Sequence, residues 1–426
     1  MTSRIDLLGR LRRHFRVMGL YTLAPVAAGL APLAVIPAVT GRFGAEGWSV
    51  VAVSLAVGSA ASVIAELGWT IVGPQLVARA SGETARLYEE ALASRLVALA
   101  FVLPIGLVVT VLTTEHHLIA ACLITAGVTS AAVNPAWLFT GLGRPTSILV
   151  ADTLPRVALC LLSALVITAG GPLEVYGLAL LGTAVVGLVA ASRMLGVPLC
   201  PRRHSFAAVP RRLKEQGMLV LGRGVTTVYK ALPVVVLSAI SPGAVAAYSA
   251  LDRPLRMGLG ILIAVPNRLQ SWAGVADGRL RSRRVRVSLV VNAALGLAGG
   301  LVFAAGIPLV TAVLFRGVVT VDAELTWLGA AVVAAACLSR GFGFALVVDR
   351  RANATAVAAF WAAGTAVVCL PLGAVLDGAT GLLLGVLAAE LVGVLAQAFL
   401  WARSSRTGSR SPAVRERDGA PMGSPS

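Results

Sequence analysis

The most constraining feature of this 426-residue chain is a succession of apolar stretches about 20 residues long, separated by short polar gaps. A stretch of that length is enough for a helix to cross the hydrocarbon core of a bilayer, which is about 30 Å thick. Backbone amides find no water there, so each stretch must satisfy its hydrogen bonds as a helix. Charged residues make up only 13% of the chain, against roughly 25% in soluble domains. The chain is therefore predicted to be an all-α integral membrane protein.

The apolar stretches predict about twelve transmembrane helices in two groups of six. The first group spans an N-terminal bundle, residues 1–192, and the second a C-terminal bundle, residues 215–402. A basic linker, 193–214, joins them, and a tail, 403–426, is rich in Arg, Ser, Pro and Gly and is predicted to be disordered. The helices are expected near 17–39, 49–72, 96–114, 118–140, 148–169, 173–191, 217–240, 244–272, 287–314, 325–348, 353–376 and 379–402.

Loop charge predicts the orientation of the chain. Most of the 36 lysines and arginines lie in alternate loops, whereas the other loops carry only Arg42 and Arg316 beside several acidic residues. Cytoplasmic loops are enriched in Lys and Arg, so both termini are predicted to be cytoplasmic. The heavy use of Ala, Val, Gly and of Arg over Lys is typical of a GC-rich bacterial genome, so the expected location is the inner (plasma) membrane of a bacterium. The cytoplasmic side would carry the basic residues of 1–16, of the gap 73–95 that includes Arg95, of 141–147, 193–214, 279–286 and 350–351, and of the tail.

Six helices in each half mean that both halves enter the membrane in the same direction. This arrangement predicts a parallel repeat related by an axis along the membrane normal. A weak internal similarity supports the repeat, since Tyr21–Pro25 in helix 1 resembles Tyr229–Pro233 in helix 7. Proline-interrupted helices at matching positions are typical of the moving parts of transporters.

Seven basic residues fall inside the predicted spans, where a charge facing lipid costs about 2.5–3.5 kcal/mol. Arg223 and Lys230 share one face of helix 7, two turns apart, and Arg253 and Arg256 share a face of helix 8. The others, Arg156, Arg268 and Arg340, lie near helix ends and could reach the interface. Acidic residues within the spans are fewer: Glu66, Asp152, Asp252 and Glu390.

A net cationic pathway suits a substrate with a concentrated negative group such as phosphate or pyrophosphate, which arginine can bind in bidentate fashion. The alternative is a set of intramembrane ion pairs that only hold helices together. The excess of basic over acidic residues favours the anion-binding interpretation.

No catalytic motif, nucleotide-binding loop or metal-ligand spacing is present in the sequence, so we expect neither an enzyme nor a metal or cofactor. The five cysteines form no CxxC pair and mostly lie in apolar stretches. The formal charge of +17 would suggest nucleic acid in a soluble protein, but here the arginines follow membrane topology.

Four segments, in their order and spacing, carry a resemblance to a known family: Phe43–Trp48, Ala65–Arg79, Asn134–Gly141 and Ala247–Arg253. They resemble the polysaccharide-biosynthesis flippases of the multidrug/oligosaccharidyl-lipid/polysaccharide exporter superfamily, which move lipid-linked oligosaccharides. Phe43–Trp48 resembles the first-hairpin turn of that family, and Ala65–Arg79 resembles the end of helix 2 and its exit. Asn134–Gly141 is similar to the family's Pro-x-Trp-x-Phe-x-Gly segment, and Ala247–Arg253 to the start of helix 8. One departure is Gly143, where the family often has an acidic residue.

The resemblance implies two six-helix bundles in a V around a central cavity and transport by alternating access. The implied substrate is an oligosaccharide linked to polyprenyl pyrophosphate. Arg223, Lys230, Arg253 and Arg256 would bind the pyrophosphate, and Glu66, Asp152, Asp252 and Glu390 are candidates for ion coupling. A polysaccharide polymerase and glycosyltransferases are possible partners, besides the bilayer itself.

Two other functions are compatible with the sequence. A small-molecule or drug exporter would share the helix count, although Gly73–Gly82 does not match the loop motif of major-facilitator proteins and the arginine-rich second half is an awkward lining for basic drugs. A membrane scaffold for polysaccharide assembly enzymes would instead use the basic loops to bind partners.

Overall fold

The computed structural model describes residues 27–408, except for residues 81, 264, 267–268, 270–277 and 350. The described chain is helical and contains no strands. Residues 17–26 of the first predicted span, the Tyr21–Pro25 segment, Arg268 and most of the predicted tail lie outside the described residues. The main helices are α1 Ile36–Ala65, α2 Trp69–Arg79, α3 Thr84–Thr113, α4 Leu118–Ser130, α5 Ala136–Gly141, α6 Leu154–Thr168, α7 Glu174–Leu195, α8 Val209–Ile240, α9 Val245–Leu262, α10 Gly278–Phe315, α11 Ala323–Val348 and α12 Ala352–Gly408.

Within the described residues, nine helical segments are long and apolar enough to cross a membrane. The two longest, Ala27–Arg79 and Asn353–Arg403, have 53 and 51 residues. They contain non-helical residues at Gly44 and at Asp377–Gly378, and both glycines have positive φ, which glycine adopts without a steric penalty. The prediction of an all-helical, multi-pass membrane protein is confirmed.

The C-terminal break closes an antiparallel helical hairpin. A Cβ added at Gly373 would clash with the carbonyl oxygen of Gly381, and one at Gly385 would lie 2.6 Å from the carbonyl oxygen of Cys369. Residues eight apart in a straight helix are separated by about 12 Å, so these contacts require the chain to turn back at Gly378. Glycines at the contacts allow the two helical arms to approach closely.

The loops predicted to lie on one side of the membrane meet at one end of the structure, here called the Gly44 end. Arg42 lies beside Gly170, and the ring of Phe43 contacts His117. Trp48 packs edge-on against Phe315, and Gly378 lies near Ala244. At the opposite end, here called the Arg79 end, Gly141 packs against Val77 and Arg212 pairs with Glu90, which brings together three of the gaps from the other predicted side.

Several helices begin earlier or end differently than hydropathy predicts. α3 begins at Thr84 instead of residue 96, α8 at Val209 instead of 217, and α10 at Gly278 instead of 287. The predicted helix 49–72 is divided at Leu67–Gly68, both with positive φ, and resumes as α2. In α3 and α8 the additional turns carry Glu90, Arg211 and Arg212, which form ion pairs with one another. These turns are polar in composition and therefore fall outside the apolar stretches that predict the helices.

We expect Gly373→Ala to lower the apparent melting temperature of the purified protein in detergent, because the added Cβ meets the backbone of Gly381. Overpacking of this kind costs about 1–3 kcal/mol. Gly364→Ala is the matched control, since it lies in the same helix and its Cβ would meet no atom within 4 Å. Equal melting temperatures for the two variants would contradict the hairpin contact.

Candidate substrate-binding cavity

A cavity of about 340 Å³ lies between α1, α8 and α9. Lys230 of α8 and Arg253 and Arg256 of α9 line it, together with Asp252. Small residues of α1, such as Ala56 and Ala60, form part of its wall. Three of the four residues predicted to bind pyrophosphate therefore lie around one space.

Arg256 is held in place by α8 and α9 together. Its Nε donates to Oδ2 of Asp252 at 2.6 Å, one turn earlier in α9, and its Nη2 donates to the carbonyl oxygen of Lys230 at 2.8 Å. The hydroxyl of Tyr248 donates to Oδ1 of Asp252 at 3.4 Å. Asp252 therefore positions Arg256 and neutralises one of the three cavity cations.

Arg253 and Lys230 form no ion pair with a carboxylate within 4.0 Å among the described residues. The guanidinium of Arg253 lies 5.6 Å from the centroid of the Trp48 ring, a cation–π contact that orients it without neutralising it. Lys230 is exposed, on the cavity side of α8. With three cations and one carboxylate, the described lining is net positive and attracts an anion.

Arg223 is placed differently from the other three predicted binding residues. Its Nη1 donates to Oε1 of Glu66 in a very close ion pair and to Oγ1 of Thr70 at 3.3 Å. Neither Arg223 nor Glu66 lines the cavity. The pair joins α8 to the end of α1, towards the Arg79 end, so two residues predicted to have separate roles are partners of each other.

The other two predicted coupling residues, Asp152 and Glu390, lie in different surroundings. Oδ1 of Asp152 accepts from Nδ2 of Asn134 at 2.5 Å and from Nη2 of Arg156 at 2.7 Å, away from the cavity. Glu390 of α12 is close enough to Lys230, Arg256 and Arg340 to interact with their charges. Of these two carboxylates, Glu390 is the one beside the cationic cavity.

Arg95, counted by sequence among the loop residues, instead lies inside α3 and is only 2% exposed. Its guanidinium lies 5.1 Å from the ring centroid of Trp137, which is 5.3 Å from that of Trp69. Arg212 of α8 lies 5.5 Å from the centroid of the Trp69 ring. The helical spacing of the buried residues Tyr88, Ala91, Leu92 and Arg95 is the signal that could have placed Arg95 on the inner face.

An ion cluster at the Arg79 end ties the predicted linker to α3. The carboxylate of Glu90 accepts from Arg86 at 3.1 Å, from Arg212 at 2.8 Å and from Arg211 at 3.4 Å. Oε1 of Glu89 is 3.7 Å from Nη1 of Arg202. Both carboxylates are buried, so the cluster replaces water as their hydrogen-bonding partner.

A protein-family model described as "Polysaccharide biosynthesis protein" matches residues 16–267, more than half of the chain. The chain belongs to this polysaccharide biosynthesis family. The match includes α1–α9, and therefore every residue described here as lining the cationic cavity. The search of curated proteins found no match.

Two solved structures with 13–14% sequence identity share the fold. One, described as an inward-facing multidrug resistance MATE family transporter of the MOP superfamily, has a TM-score of 0.60 at 14% identity and covers 91% of this chain and 96% of its own. The other, described as the lipid II flippase MurJ in an inward closed conformation, has a TM-score of 0.61 at 13% identity, covering 89% and 87%. The expected exporter-superfamily fold is confirmed for this polysaccharide biosynthesis protein.

We expect Glu90→Gln to destabilise this family member by about 3 kcal/mol, because three arginines lose the charge of a buried carboxylate. Glu215→Gln is the control, since Glu215 pairs with the same Arg211 and Arg212 but is about half exposed, where an ion pair contributes about 0–1 kcal/mol. Thermal unfolding of both variants in detergent measures the difference. A fall in melting temperature that is no larger for Glu90→Gln than for Glu215→Gln would count against the cluster.

Proposed function

We propose that the protein is a flippase for cell-surface polysaccharide biosynthesis. It moves an oligosaccharide linked to polyprenyl pyrophosphate from the cytoplasmic to the outer leaflet of the bacterial plasma membrane. The observation that carries the proposal is the net positive cavity lined by Lys230, Arg253 and Arg256 in a chain of the polysaccharide biosynthesis family. The likeness to a lipid II flippase supports it at the level of the fold.

The diphosphate is the part of such a substrate that the cavity suits best. Arg253 offers unpaired guanidinium N–H groups, which bind phosphate oxygens in bidentate fashion, and Lys230 supplies a mobile point charge. Arg256, fixed by Asp252, adds a third donor at a set position. Arg223 joins the binding set only when Glu66 releases it. The polyprenyl tail stays in lipid, because its burial in a cationic cavity would be unfavourable.

Alternating access requires contacts between the halves to break at one end at a time. For this purpose α1–α7 form the N-half and α8–α12 the C-half. At the Gly44 end, Nε1 of Trp48 donates to the carbonyl oxygen of Ala246 at 3.3 Å. Towards the Arg79 end, Glu66 and Arg223 join the halves. In this proposal the Gly44 end faces outward. The Arg79 end and both termini face the cytoplasm.

Ion coupling is the part of the proposal assigned to the intramembrane carboxylates Glu66, Asp152, Asp252 and Glu390. Three of them are held by arginine, whereas Glu390 forms no ion pair among the described residues, so the proposal assigns coupling to Glu390. Glu390→Gln is expected to reduce transport driven by an ion gradient while leaving gradient-independent exchange unchanged. Transport in vesicles, with and without proton or sodium ionophores, measures this. Insensitivity of wild-type transport to both ionophores would remove the coupling role.

A drug or small-molecule exporter is the second candidate, and the likeness to a MATE family transporter favours it at the level of the fold. The two functions differ in the phenotype of a deletion strain. Export of drugs predicts increased drug sensitivity with normal surface polysaccharide, and the flippase predicts the reverse.

The decisive experiment measures the sidedness of lipid-linked saccharides in membranes of a deletion strain. We expect the lipid-linked repeat unit to accumulate on the cytoplasmic face and wild type to clear it. Arg253→Ala and Lys230→Ala should fail to clear it at normal expression, because the cavity loses its unpaired cations. Arg42→Ala, an exposed arginine at the Gly44 end, is the control and should clear it. Unchanged sidedness in a deletion strain that has no second flippase would refute the proposal.

A further inference from the structure

A second cavity, of about 380 Å³, lies at the Gly44 end and is here called the outer cleft. It is lined by Glu46 and Ser49 of α1, by Thr114 and Glu115 after α3, and by Ser238 of α8. The two cavities follow one another along α1 and α8. Ala52 and Val234 line the cationic cavity, whereas Val53 and Ser238 line the outer cleft. The buried side chains of Leu237 and Tyr248 lie at the levels between the two cavities.

The chemistry of the outer cleft is opposite to that of the cationic cavity. Its acidic lining residues are Glu46 and Glu115, and Nδ1 of His116 lies 3.2 Å from Oε1 of Glu46. Neither arginine nor lysine lines it. Carboxylates accept hydrogen bonds and repel phosphate, so the cleft does not suit the diphosphate that the cationic cavity attracts.

The hydroxyl groups around the outer cleft add to this pattern. Ser238 donates its hydroxyl to the carbonyl oxygen of Val235, which leaves its oxygen lone pairs as acceptors. Thr114 is only 7% exposed, yet its Oγ1 has no hydrogen-bond partner among the residues that the structure describes. A buried hydroxyl without a partner is unusual and indicates a group that completes its hydrogen bonding with a ligand or water.

We propose that the outer cleft binds the glycan of the lipid-linked substrate as a neutral polyhydroxylated ligand; this inference rests on the proposed flippase function. Glu46 and Glu115 accept hydrogen bonds from sugar hydroxyls, and the hydroxyl of Thr114 forms a hydrogen bond with the sugar. The volume is that of a small-molecule site and far exceeds that of a single cation. The substrate is then recognised at two places: the diphosphate in the cationic cavity and the sugar at the end where it leaves.

The test uses the full chain in lipid nanodiscs and, as the probe, the repeat oligosaccharide released by mild acid from the surface polysaccharide of the source organism. Calorimetry gives the affinity, and hydrogen–deuterium exchange of the backbone around residues 113–117 gives the location. We expect the oligosaccharide to slow exchange in this segment.

Four variants separate the contributions of the cleft. Glu115→Gln should weaken binding about tenfold and Thr114→Val several-fold, whereas Thr114→Ser, which keeps the hydroxyl, should restore it. Glu174→Gln is the matched control, an acidic residue at the start of α7 that does not line the cleft. Thr114→Ser also shows whether a loss in Thr114→Val comes from the hydroxyl or from misfolding.

Three results would overturn the inference. These are no protection of 113–117 by the oligosaccharide, wild-type affinity in both Glu115→Gln and Thr114→Val, or protection of the segment by sodium chloride instead of the oligosaccharide. The sidedness experiment tests the flippase function separately, because it scores movement of the whole lipid-linked substrate and uses no cleft variant.

Discussion

The cost of an ionised side chain in a low-dielectric membrane governs the arrangement of this protein. Charged groups there must be paired, hydrated or bound to a ligand. Three arginines form ion pairs with carboxylates: Arg156 with Asp152, Arg223 with Glu66, and Arg256 with Asp252. Asp152–Arg156 and Asp252–Arg256 are pairs one turn apart on the same stretch of helix, whereas Glu66–Arg223 joins α1 to α8. Removing one partner of any of these pairs would leave an uncompensated charge.

The same requirement identifies the cavity residues that remain available. Lys230 and Arg253 line the cavity with no carboxylate partner in the described chain, and Arg253 is oriented by the face of Trp48. Trp48 also bonds to Ala246 across the halves. One tryptophan therefore contacts both a cavity cation and the closure at the Gly44 end, so a ligand that displaces Arg253 would change the packing of that closure.

Along α1 and α8, the lining changes from cationic to acidic and hydroxyl-rich within a few helical turns. A substrate composed of a diphosphate and a sugar has the complementary order of chemical groups. Specific recognition of this kind comes from excluding the wrong group as much as from attracting the right one. Leu237 of α8 and Tyr248 of α9 are buried, and each lies along its helix between residues that line the two cavities.

Much of the fold could be predicted from sequence because lipid permits few backbone structures. Apolar stretches had to be helices, and loop charge correctly grouped the loops around Phe43, His117, Gly170 and Phe315 at one end. Helix boundaries were predicted less well where charged turns, such as that of Glu90, are paired within the protein. Hydropathy assigns such a turn to a loop, because it scores the charged residue itself and contains no information about its ion-pair partner.

The sequence by itself thus determined a helical membrane protein, the grouping of its loops into two sets, and an excess of intramembrane cations. Only the tertiary structure decided which cations are paired. Asp252 and Arg256 are one turn apart, so their pairing could be predicted from helical periodicity. Glu66 and Arg223 are 157 residues apart, and Arg95 is buried against a tryptophan from another helix. Such partners are chosen by the packing of one helix against another, and the spacing of residues along a single helix carries no information about that choice.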